Sequence, residues 1–364
     1  MALTRKQKIA ASLIPLFVAV LLAALFFRNS GETELAARRQ LLQLISPDAS
    51  SVIYIDLAEL RASPFFARLN SWAPQPPPDS EYAQFLRDTG FSYERDLDRM
   101  AIGISRRGET TELFAVADGK FDRKKIEAFL ARNSAATQQG QQTIFTLKPA
   151  PGQKPVSLTF LSDTRIALTD ETVPTPAASA EGAGRADWNT RFERVAGSPV
   201  FAVIRQDAAM QQALTAATPG GFRSPQLASL LEQQLWISIA GKPAGDRLLL
   251  IADGESLSDA AESQLRELLQ GVIVMAQTGL NDPKLRQQMN PEERDAYLEL
   301  LQSADVQKID RGQWKTVRVS LFLTPKFFDV AARTSLVPKT QSGPPPSQPT
   351  PATKPAAPRP AKKN

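Results

Sequence analysis

The chain has no cysteine and no histidine in its 364 residues. Without cysteine there is no disulfide staple, thiolate metal site, cysteine nucleophile or lipid-modified N-terminal cysteine, so any membrane anchor has to be a helix. Without histidine there is no Ser-His-Asp catalysis, no imidazole ligand and no histidine pH switch. Phosphate-cradling loops are missing too. Gly103, Gly108 and the pair Gly220-Gly221 after Pro219 do not follow a strand and open a helix, and they read as turns and loops. No Ser-x-x-Lys pattern occurs, which leaves a Ser-Lys hydrolase without its motif. The sequence therefore assigns no catalytic residue, no cofactor and no metal site.

Acidic residues are absent from both ends. Arg5, Lys6, Lys8 and Arg28 lie in residues 1–30, and Lys339, Lys354, Arg359, Lys362 and Lys363 lie in 338–364. Setting those nine apart from 43 Lys+Arg leaves 34 against 38 Asp+Glu, so the middle is about −4 although the whole chain is +5. A nucleic-acid partner is excluded on that placement.

One long apolar run is present. Residues 9–27 carry no charge, and at about 1.5 Å per residue they match a hydrocarbon layer of roughly 30 Å. Three bases precede the run and only Arg28 follows it before Glu32 and Glu34, which keeps Met1 cytoplasmic and exports the chain from Gly31 onward. A cleaved signal peptide is the competing reading. It calls for a shorter core and small residues at the cut, whereas this run ends in Leu25-Phe26-Phe27-Arg28, and an uncleaved anchor is favoured.

Beyond the anchor, residues 34–45 read as a helix and 52–57 as a buried strand. A loop follows at 73–79, then helical spacing at Tyr82, Phe85 and Leu86, and strands at 100–105 and 112–118. Asp122 caps a helix through Ile126 and Leu130, and strands follow at 143–147, 156–161 and 165–169. Residues 173–186 are mostly small and read as a linker or mobile loop. The second half repeats the plan. A helix covers 188–195, a strand 199–204 and a helix 207–217, and strands cover 235–241 and 247–253. Ser256 is expected to cap a long helix to about Gln277, and Pro291 opens another. Strands at 306–310 and 316–323 and a helix from Pro325 complete it.

Val52–Leu57 matches Val200–Arg205, Met100–Ser105 matches Leu235–Gly241, and Glu112–Asp118 matches Arg247–Asp253, the last pair running into AVADG and LIADG. The fold class expected is thus α+β: a transmembrane helix (1–30 with its cytoplasmic stub), then a duplicated unit of antiparallel sheet covered by helices on one face, at 31–172 and 187–337. Residues 338–364 are a disordered, basic, Pro-rich tail.

Asp56 and Glu59 at the end of the first strand, with Asp118 and Asp253 ending two others, are the carboxylates that could gather at one sheet edge as an acid/base or metal pair. Asp-Gly turn chemistry is the plainer account of them. Glu94, Arg95, Asp96, Asp98 and Arg99 read as a solvated charged face, and Phe65-Phe66 and Phe327-Phe328 as core packing.

The run SPDASSVIYIDLAELRASPFFARL, with FSYERDLDRMAIGI and FAVADGKFDRKKIEAFL downstream, resembles the uncharacterised bacterial membrane-anchored envelope proteins that carry a domain of unknown function. The resemblance covers about residues 40 to 170, supplies no catalytic residue, and implies a bacterial envelope setting. The function expected is a non-enzymatic binding or interaction module. It would sit in the inner membrane through residues 9–27, with the lipid bilayer and an unidentified envelope component as partners. A hydrolase or transferase built from carboxylates and serines is the alternative, and a structural spacer is a third reading.

Overall fold

The computed structural model describes residues 34–72, 80–107, 110–147, 154–171, 174, 183–206, 229–230 and 232–336. The expected membrane span at 9–27, the loop at 73–79, Gly108, the helix expected at 207–217, Gly220-Gly221 and the tail from Pro338 lie outside the described residues. Among the described residues no helix is long and apolar enough to cross a membrane.

The first half holds strands β1 (Ser51–Asp56), β2 (Leu97–Arg107), β3 (Thr110–Gly119), β4 (Ser134–Gln139), β5 (Gln142–Leu147), β6 (Val156–Ser162) and β7 (Arg165–Thr169). The second half holds β8 (Val200–Arg205), β9 (Trp236–Ala244), β10 (Arg247–Ser256), β11 (Asp305–Arg311) and β12 (Trp314–Leu323). All twelve join in one sheet, ordered β11-β12-β10-β9-β8-β1-β2-β3-β7-β6-β5-β4, and every pairing is antiparallel. The halves meet where β1 lies against β8, with Tyr54 directly opposite Phe201 and their rings stacked at 5.1 Å.

Helices cover both faces of this sheet rather than the one face expected. Helix α1 (34–43) brings Leu41 and Leu42 to the face that carries Tyr54, Ala101 and Val116. Helix α7 (Ala183–Arg194) brings Trp188 and Phe192 there as well. Helix α6 (Arg123–Asn133) packs Ile126 and Leu130 on Phe145 and Leu158, which alternate with Ile144 and Thr159 and so point the other way. Helix α8 (Asp259–Leu280) covers that second face at the far end, through Leu265 against Val306 and Val317. A sheet whose centre is apolar on both faces, as in Val52-Ile53-Tyr54-Ile55, needs two layers to bury it.

Three local readings change. Strand β4 is an edge strand of sequence SAATQQ, mostly exposed, and its lack of apolar alternation hid it. Ser258, not Ser256, caps α8 through its Oγ to the Ala261 N–H, while Ser256 still pairs in β10. Helix α7 begins at Ala183, inside the stretch expected to be linker.

Candidate functional site

Charge on the first face is arranged in rows across the strands. Asp56 closes β1 and caps helix α2 (Leu57–Ala62), accepting the Glu59 N–H at 2.9 Å. It also accepts the Arg99 Nε–H at 3.0 Å and the Tyr54 hydroxyl at 3.2 Å. In register, Asp56 faces Arg99, Arg99 faces Asp118, and Asp118 faces Arg165. Arg165 grips Asp118 with both prongs of its guanidinium, at 2.6 and 2.9 Å. Acid and base alternate over four adjacent strands, and such cross-strand pairs stabilise the sheet. Burial is the largest single influence on Arg99 and opposes its charge, but the Asp56 charge and hydrogen bond together with Tyr54 and Glu34 outweigh it and hold its pKa up, while the Asp118 hydrogen bond raises that of Arg165. Burial pushes the Tyr54 phenol up, and the Asp56 charge adds to it.

The four carboxylates singled out by sequence do not share a cleft. Asp56 and Asp118 lie in one row, two strands and so about 10 Å apart, with Arg99 between them. Glu59 stands on α2 beside Asp56. Asp253 lies on β10, across the seam, where Arg318 grips it at 2.7 and 2.8 Å and Arg311 reaches it at 3.2 Å. Each aspartate is neutralised by arginine instead of being paired with a second carboxylate, an arrangement suited to holding strands together and not to cycling protons. Among the described residues no group of three or more acidic side chains is placed to hold a metal ion.

Two residues beyond Asp253, Glu255 is buried on the same face and takes Arg191 at 2.8 Å, Arg194 more closely still, and Arg311 at 3.6 Å. Arg191 is 0 % exposed. Its guanidinium lies 3.9 Å from the Trp236 ring centre and 4.6 Å from that of Trp314, and burial lowers its pKa. This buried network was not foreseen from sequence. Its signal was the helical spacing of Trp188, Arg191 and Val195, which places an arginine on the stripe that faces the sheet.

The remaining candidates resolve as framework. Glu94 accepts from Tyr82 at 3.1 Å and from Ser92, Asp96 accepts the Ser92 N–H at 2.9 Å, and Asp98 pairs with Arg61 at 3.0 Å, so the cluster ties down the short helix α5 (Tyr93–Asp96). Phe65 meets Phe328 edge-on at 5.5 Å, joining helix α3 (Pro64–Trp72) to the last helix. Gly103 is not a turn. It lies inside β2, where an added Cβ would stand 2.5 Å from Ile45 Cγ2.

Glu59 carries a pH signature. Partial burial, then the Asp56 charge, raises its carboxyl pKa. The folded state therefore holds this proton to higher pH than the unfolded chain, and stability falls as pH rises between the two values. Glu59→Gln should remove that slope: as pH rises above about 4 the wild type should lose urea midpoint relative to the variant. A flat or rising difference would show that the carboxylate is not so held.

No protein-family model matches the chain, and no curated protein does. Two solved structures of TP0453, crystal forms IV and III, are similar at a TM-score of 0.41 each, with 8 % and 9 % identity over 81 % of this chain and 95 % and 98 % of that one. A likeness at that score does not define a common fold.

Proposed function

We propose that this chain is a single-pass inner-membrane protein, anchored through residues 9–27 with its N-terminus cytoplasmic. Its extracytoplasmic sheet serves as a non-enzymatic binding module for another envelope component. The observation that carries this is α1. It is under way by Glu34, seven residues past Phe27, and its Leu41 and Leu42, with Ile45 beyond it, are 0–3 % exposed in the main core. An anchor joined so directly to the sheet holds the module at the bilayer surface. Commitment of Asp56, Asp118 and Asp253 to arginines weighs against the carboxylate hydrolase.

The same reading includes a duplicated unit. Asp118–Arg165 and Asp253–Arg318 are the same two-pronged pair at the same point of β3/β7 and β10/β12. Following the registers inward from Asp118 and Asp253 makes Ala101 the counterpart of Ala240, and Tyr54 that of Phe201. Those counterparts lie opposite each other across the seam, as a two-fold axis between them requires. The match expected from sequence moves by one residue in β1, which exchanges the faces, and by four in β2, which keeps them, because it aligned the ends of apolar runs instead of the registers.

The test is crosslinking from intact membranes, with the full chain and a chain ending at residue 337, alongside protease digestion of spheroplasts. One reproducible envelope partner, a mass that retains residues 1–33 and digestion from outside are expected. A protected domain or a cleaved N-terminus would sink the anchored reading, and recovery of no partner would favour a spacer.

A further inference from the structure

Helix α8 changes character along its outward stripe. Gln264 and Glu267 face solvent in its first half, whereas Gly271, Val274, Met275 and Thr278 do so in its second. Val274 is 60 % exposed and Met275 68 %, and no residue from Leu268 to Asn281 is charged. The short helix that follows, α9 (Pro283–Gln288), presents Lys284, the partly exposed Leu285 and Arg286. Two acids are nearby: Asp282 is turned back to cap α9 through the Lys284 N–H, and Asp295, which feels the Arg286 charge, is paired with Arg294 at 2.7 Å.

The position of this apolar, basic-flanked tip identifies its partner. Arg38 of α1 reaches Glu59, so α1 begins at the end of the sheet where β1 finishes. From β10, α8 returns along the second face toward that same end: Lys308 meets Ser263 near its start, and Gln277 donates to the Leu301 carbonyl near its finish, just ahead of β11. The chain outside the described residues therefore enters at the sheet end to which the tip of α8 points. A second copy docked over Val274 and Met275 with the helices parallel would bring Lys284 and Arg286 against their own equivalents, which like charges oppose.

We infer that Val274, Met275 and Leu285, with Lys284 and Arg286, form a peripheral contact with an anionic lipid bilayer. This second contact steadies the module against the membrane that holds its anchor, and the inference rests on the anchored reading above. Apolar side chains enter the headgroup boundary while the long basic stems keep their charges at anionic headgroups.

The absence of cysteine makes the test direct. Met275→Cys, Glu267→Cys and Ala19→Cys each give the full chain one thiol for a polarity-sensitive fluorophore. The chains are reconstituted in phosphatidylcholine vesicles with and without phosphatidylglycerol, doped with a quencher lipid. The labels at 275 and 19 should be quenched and that at 267 should not. Removing phosphatidylglycerol, or introducing Lys284→Glu and Arg286→Glu, should lower contact at 275 by about five-fold per charge replaced and leave 19 unchanged. A quenched label at 19 with 275 still in water would overturn the contact alone. A silent label at 19 would overturn the anchor and the contact with it. A signal at 275 that needs no lipid and rises with protein concentration would replace the bilayer with a second copy.

Discussion

Arg191→Ala should lower the unfolding free energy by about 3–5 kcal/mol, the cost typical of breaking a buried ion pair from one side. Three losses coincide at this position. Glu255, 1 % exposed, keeps only the peripheral Arg194 and Arg311 to balance a charge taken out of water. The guanidinium leaves the slot between Trp236 and Trp314, and α7 loses a tie to the strands that its Trp188 packs against. Tryptophan fluorescence is a suitable probe, since two of the rings touch the deleted group. In urea, the midpoint should drop with the slope unchanged. Combining Arg191→Ala with Glu255→Gln should cost clearly less than the two single changes added, because the second removes the charge the first strands. A single-variant loss below about 1 kcal/mol, the range of exposed pairs, would mean that the network is solvated and contributes little.

Next in size is a contrast between two glycines at equivalent places. Gly119 and Gly254 each follow the aspartate of an ADG run. A Cβ on Gly119 would stand 2.6 Å from the carbonyl oxygen of Asp96, a backbone atom that also accepts the Lys120 N–H, beside the bulge in β2. Backbone cannot step aside cheaply, so Gly119→Ala should cost about 2–3 kcal/mol. On Gly254 the nearest atom would be Gln234 Oε1 at 3.1 Å, the end of a side chain held only through its Nε2, which donates to the Leu230 carbonyl at 3.0 Å, while the Oε1 itself has no partner among the described residues. Gly254→Ala should stay under about 1 kcal/mol. Equal midpoints in thermal unfolding would refute the contrast.

What the sequence disclosed follows from which signals are local. Apolar runs such as Val52-Ile53-Tyr54-Ile55 and Leu248-Leu249-Leu250-Ile251 announced strands, and Asp122 announced its cap, because propensity and capping are short-range. Strand β4 stayed hidden because a solvated edge needs no apolar face. The second helical layer was missed because periodicity shows that a side is buried and not which helix buries it. For the charged residues, type and spacing cannot show pairing. Asp118 and Arg165 are 47 apart in the chain, Arg191 and Glu255 are 64 apart, and their partners became visible only through the sheet order.

The seam between β1 and β8 carries a cost in time. The two strands are about 150 residues apart in sequence, so the contact that joins the centre of the sheet must wait until the whole first half has been made. At synthesis rates of about 5–20 residues per second, β1 waits on the order of 10–30 s for its partner. Throughout that wait its open edge, Ser51-Val52-Ile53-Tyr54-Ile55, is a segment of the kind that recruits other strands. A chain emerging on the far side of a membrane would face this interval wherever its first half folds ahead of its second. Swapped or aggregated species should therefore form through β1 before they form through the polar outer edges at β4 and β11.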